Sequence, residues 1–101
     1  MKYKILQLKD IRNSDYAFES WKWAKDHFKL EDYQVVYEGQ IEPEDPTREV
    51  HVTNYLEDLF YKFNMEHPED FSGHSLSVSD LVELDGKLYY CDSAGWQEIK
   101  D

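Results

Sequence analysis

Residues 76–92 run Leu-Ser-Val-Ser-Asp-Leu-Val-Glu-Leu-Asp-Gly-Lys-Leu-Tyr-Tyr-Cys-Asp, the pattern of two strands joined by a tight turn. Leu76, Val78, Val82 and Leu84 share one parity, the pattern of a strand with one buried face. Asp85-Gly86 then marks a tight reversal, because both residues tolerate the positive φ of a type I′ turn. Leu88 to Cys91 is the returning strand. After a turn at Ser93-Ala94-Gly95, Trp96 to Ile99 is short enough to add at most one more strand.

Working back toward the N-terminus, Val52, Leu56, Leu59, Phe60 and Phe63 recur at helical spacing. Asn54 followed by Glu57 fits a capping-box variant at the helix start, and Pro68 ends the segment. Val50-His51-Val52 reads as a short strand or a helix entrance. Glu42 to Glu49, with two prolines and four acids, is a loop. Tyr33 to Ile41 is a strand in which Tyr33, Val35 and Tyr37 alternate. Ala17, Trp21, Ala24 and Phe28 form one helical face that Phe18 widens, with Asn13 and Ser14 competent to cap it. Tyr3 to Leu8 is the first strand. The order is β-α-β-α-β-β, with an optional last strand. It predicts one α+β domain over residues 1–101, a small and mostly antiparallel sheet with two helices on one face.

Composition bounds the function. The chain has 101 residues, 11 basic and 22 acidic, for a formal charge of −11. Three Trp, eight Tyr and five Phe argue against disorder. No apolar run suits a membrane span, and the charged start is no signal peptide. With Cys91 as its single cysteine, the chain has neither a disulfide framework nor a Cys-based zinc site. A cytoplasmic protein follows. The charge is uneven: residues 1–29 carry seven basic and four acidic residues, net +3, and residues 30–101 carry four and 18, net −14. Direct nucleic-acid binding, which needs Lys/Arg to neutralise phosphates, is disfavoured. The acids are read as a solubilising surface or as a face that meets a basic partner.

Few groups suit catalysis. Glu66, His67, Glu69, Asp70 and His74 are metal-ligand types, but they straddle Pro68 and Gly73 and lack helical ligand spacing. Acidic loops with incidental histidines are the commoner case. A nucleophile at Cys91 with His74 and Asp80 or Asp92 is opposed by the adjacent carboxylate, which raises a thiol pKa. No metal, cofactor or catalytic residue is assigned.

The densest polar segment is 73–80. Read as a strand, it shows Ser75, Ser77 and Ser79 on one face. These are either its solvent side, with His74 and Asp80 tying its ends, or a binding strip for a partner's strand.

The segment Gly73 to Asp80, preceded by Leu56-Glu57-Asp58-Leu59, Lys62-Phe63-Asn64 and His67-Pro68-Glu69-Asp70-Phe71, resembles the YodL-like domain family of Firmicutes and their mobile elements. So do Tyr89-Tyr90-Cys91-Asp92-Ser93 with Gly95-Trp96, Gln7-Leu8-Lys9-Asp10 and Tyr33 to Tyr37. Cys91 stands where the family more often has an aliphatic residue. The resemblance implies a domain found alone or within large proteins of conjugative elements and phages, often beside antirestriction modules; it does not imply a known enzymatic activity, and no catalytic residues are carried over. The expectation is a non-enzymatic domain that binds another protein through His74, Ser75, Ser77, Ser79, Asp80, Tyr89, Asp92 and Trp96. The alternatives are a DNA-mimicking inhibitor of a defence nuclease and a metal-dependent hydrolase using the His67–His74 loop.

Overall fold

The computed structural model describes residues 2–41, 52–66, 68–71, 73, 75–93 and 95–100. Their elements run β1 (Lys2–Leu8), α1 (Trp21–Ala24), a 3₁₀ turn (Leu30–Asp32), β2 (Tyr33–Gln40), α2 (Val52–Met65), β3 (Leu81–Leu84), β4 (Lys87–Asp92) and β5 (Gly95–Ile99). The strands form one antiparallel sheet in the order β2-β1-β3-β4-β5. This is an α+β fold with the element order read from the sequence, including the last strand. The expected acidic loop at 42–49 and the residues Val50-His51 lie outside the described residues.

The β3–β4 hairpin turns where the sequence places it. Asp85 and Gly86 have φ of 52° and 84°, as a type I′ turn requires. β1 pairs with β2 through a register shift, in which Ile5 faces Tyr37 and Leu6 faces Val35. Val36 is thereby the extra residue of a bulge. At Gly39, directly opposite Tyr3, an added Cβ would collide with the tyrosine ring, so only glycine permits this close approach.

The two helices do not share a face of the sheet. Tyr3, Ile5, Val82, Leu84 and Tyr89 pack with Leu56, Leu59 and Phe63 of α2 and with Phe71 and Leu76. Their strand neighbours of opposite parity, Leu6, Leu8, Leu81 and Tyr90, pack with Tyr16, Ala24 and Tyr33, against which Trp21 and Phe28 also lie. Alternate side chains leave a strand on opposite sides, so α2 covers one face and the 11–28 segment the other. Burial on both faces explains the adjacent apolar pairs Ile5-Leu6 in β1 and Leu81-Val82 in β3 and the run Leu88–Cys91 in β4.

α1 is shorter than the periodicity predicts, at one turn. Ala17, Trp21, Ala24 and Phe28 all contribute to one core as expected. Phe18, however, has φ of 63°, which breaks any helix running through it. α2 begins at Val52, so Asn54 lies inside its first turn and is not its cap.

Candidate functional site

At one end of the sheet the C-terminal ends of β1 and β4 lie beside the N-terminal ends of β2 and β3. The loops 9–20 and 75–80 meet there, and most of the predicted binding residues sit in or beside this junction.

Residues 75–80 are not a strand; β3 starts at Leu81. The loop is held by Asp80, which is only 2% exposed. Its carboxylate accepts hydrogen bonds from Gln7 Nε2 at 3.2 Å and from the Ser77 N–H at 2.9 Å. Gln7 has the parity of Tyr3 and Ile5 and faces the core, where a buried amide requires hydrogen-bond partners such as this one. Gly73 lies over it so closely that an added Cβ would collide with Gln7 Oε1. Main-chain bonds finish the joint. Asp80 N donates to Ser77 O at 3.0 Å, Cys91 N donates to Asp80 O at 2.8 Å and Ser79 N donates to Cys91 O at 2.9 Å.

Ser79 is buried with φ of 84°, a conformation that disfavours a side chain by about 1–2 kcal/mol. Tertiary contacts hold it there. The Tyr33 hydroxyl donates to its carbonyl at 2.5 Å, and its own hydroxyl accepts the Phe18 N–H at 3.0 Å. Two left-handed residues from distant loops, Phe18 and Ser79, are thus bonded directly. Burial raises the Tyr33 pKa strongly, so its hydroxyl stays a donor. Next to them, Asp92 Oδ1 accepts from Trp21 N at 3.1 Å and Ser93 N at 2.7 Å, and the Tyr90 hydroxyl donates to Glu19 O at 2.6 Å.

The expected binding strip is therefore not one exposed surface. Ser79 and Asp80 are interior, Ser75 is exposed, and Ser77 is half-buried with its hydroxyl oxygen enclosed and unpartnered among the described residues. The alternation that suggested three outward hydroxyls belongs to a loop with a turn at 78–79, so it carries no facing information. Asp92 supports the α1 side. Tyr89 and Trp96 belong to the opposite side. Tyr89 is buried against the α2 core, and its pKa is raised by burial, then by Glu98 and Asp85. Trp96 is half-buried, donates Nε1 to Glu57 at 3.2 Å and meets the Phe60 ring edge-on. His74 lies outside the described residues, as does His67, on which the hydrolase reading also depends.

The reading that disfavours Cys91 as a nucleophile agrees with its surroundings. The thiol is buried, and burial first, then Asp80, Glu57 and Asp92, pushes its pKa up to about 12. A thiol with a raised pKa is neutral at pH 8, where the unfolded chain already holds a substantial thiolate fraction. Iodoacetamide at pH 8 should therefore alkylate the folded protein about a thousandfold more slowly than the urea-unfolded chain, the ratio of thiolate fractions. Equal rates, followed by mass spectrometry, would contradict this burial. Among the described residues no group of three or more His, Cys, Asp or Glu is placed to hold a metal ion.

Phe18, expected to widen the buried helical face, is instead 56% exposed at the rim of the junction, while its backbone N–H is held by Ser79. The signal was local: Ser20, not Asn13 or Ser14, stands at the helix start, which leaves Phe18 in the preceding turn.

No curated protein or solved structure shows significant similarity to the chain. The family model described as YodL-like domain does match, over residues 2–101. The five-stranded sheet, the hairpin and the 75–80 loop all fall within that match, and the chain belongs to the YodL-like domain family.

Proposed function

We propose that this is a non-enzymatic, cytoplasmic protein-interaction domain, an accessory or counter-defence module of a mobile genetic element or its host, which grips a partner protein at the loop junction through Phe18. The observation that carries this reading is an exposed aromatic ring on a left-handed backbone. A non-glycine residue in that region costs about 1–3 kcal/mol and persists only where its surroundings impose it. Here the buried Ser79 and Tyr33, with the loop that Asp80 holds, impose it, and the result is an exposed aromatic side chain on a fixed backbone. Aromatic side chains make effective contact anchors. No helix among the described residues is long and apolar enough to cross a membrane.

The DNA-mimic alternative draws less support. A mimic needs acids in a line along its surface. Asp80 is buried, Asp92 binds the start of α1, Asp32 accepts from the Tyr16 hydroxyl, and Glu38 and Glu83 flank Lys4.

Capture from a host lysate tests the reading with Phe18→Gly. Glycine adopts positive φ freely, so this variant should keep its stability or gain up to about 1 kcal/mol. Specific partner recovery should fall to background. A folded Phe18→Gly protein that recovers the same partner in the same amount refutes the assignment.

A further inference from the structure

We propose that the outward face of α2, together with Trp96, is a second contact surface, which docks a basic amphipathic helix of a partner protein. The inference rests on the interaction reading above and adds the site and the partner's chemistry.

α2 turns Leu56, Leu59 and Phe63 inward. On a helix of 3.6 residues per turn the opposite stripe holds Asn54, Glu57, Asp58, Tyr61 and Met65. Tyr61 is 57% and Met65 69% exposed. They stand four apart and so are surface neighbours. Two large apolar groups side by side on the solvent face are what a helix-binding surface offers. The strip extends across the sheet edge, because Glu57 accepts the Trp96 indole N–H and Phe60 packs on the Trp96 ring.

Charge selects the occupant. Residues 52–71 hold five acids (Glu57, Asp58, Glu66, Glu69 and Asp70) and one base, Lys62. The layer on the opposite face, residues 9–32, is nearly balanced, with six acids and five bases. Among the described residues neither Glu57 nor Asp58 makes an ion pair; the described pairs are Lys4 with Glu38 and Glu83, and Lys100 with Glu98. A second copy of this −11 chain would bring like charges together. An Arg/Lys-bearing helix instead places guanidinium groups on Glu57, Asp58 and the Tyr61 ring, and an apolar side chain against Met65.

The test titrates the isotope-labelled full chain with two amphipathic peptides of about 15 residues, one with arginines beside a leucine stripe and one with glutamates in their place. The arginine peptide should shift the amides of Glu57, Asp58, Tyr61 and Met65 and the Trp96 indole N–H, and the glutamate peptide should shift none of them. Tyr61→Ala should weaken binding at least about fivefold. The double change Glu57→Gln with Asp58→Asn should remove most of its salt dependence. Absence of binding at about 1 mM peptide, or shifts confined to the Phe18 junction, overturns the inference. In the second outcome, or if lysate capture survives Tyr61→Ala, the interaction reading stands and only the α2 surface fails. Capture at background for the unaltered protein sinks the underlying reading instead.

Discussion

Replacing Asp80 with alanine should lower the stability of the domain by about 3 kcal/mol, because it removes the acceptor shared by the buried Gln7 amide and the half-buried Ser77 N–H, and the loss of a partner costs such a donor about 1–3 kcal/mol. For a domain of this size that corresponds to a fall in unfolding midpoint of about 15 °C. Asp80→Asn keeps the shape and one acceptor oxygen and should cost about half as much. The Gln7–Asp80 pair should show a coupling of about 1–2 kcal/mol in a double-mutant cycle. Hydrogen exchange at the Ser79 and Cys91 amides gives a local readout, since both main-chain bonds depend on the loop that Asp80 holds. If Asp80→Ala melts within a few degrees of the parent, the carboxylate is not the joint's keystone.

Phe63→Ala should be about as damaging, at about 3–5 kcal/mol. Phe63 is fully buried and meets Tyr3, Tyr37 and Phe71 at ring-centroid distances of 6.1, 5.3 and 4.9 Å. Its loss opens a cavity where α2, β1, β2 and the 68–71 turn converge. Two residues earlier on the same helix, Tyr61→Ala should change stability by no more than about 0.5 kcal/mol, because its ring is exposed. Chemical denaturation of both variants measures the contrast, and a large loss from Tyr61→Ala would mean that α2 is rotated from the orientation described.

The contrast between these two residues also shows what was legible in the sequence. The α2 face was, because Val52, Leu56, Leu59 and Phe63 repeat at helical spacing and the backbone between them is continuously helical. The hairpin was, because Asp85-Gly86 has local turn chemistry. The order of elements followed from both. The placement of the helices on opposite faces was harder to read, although Leu81-Val82 and Leu88-Tyr89-Tyr90-Cys91 contain it: adjacent apolar residues in a strand need two buried faces. The 75–80 loop could not be read locally. Its serine alternation mimics a strand, and Ser79 takes a backbone conformation that serine does not favour, held by Tyr33 and Phe18 from 46 and 61 residues away. Phe18 was misplaced for the same reason, since helical spacing from Ala17 to Phe28 is real in the core but not continuous in the backbone. Of the predicted binding residues, Asp80 is buried in the 75–80 loop and Tyr89 in the α2 core, and neither placement follows from local sequence.

The most direct test of the account is the Phe18→Gly protein carried through two assays on one sample, urea unfolding and partner capture. The variant should unfold with a free energy equal to or up to about 1 kcal/mol above the parent and should lose the captured partner. An unchanged fold with the partner still bound would contradict it.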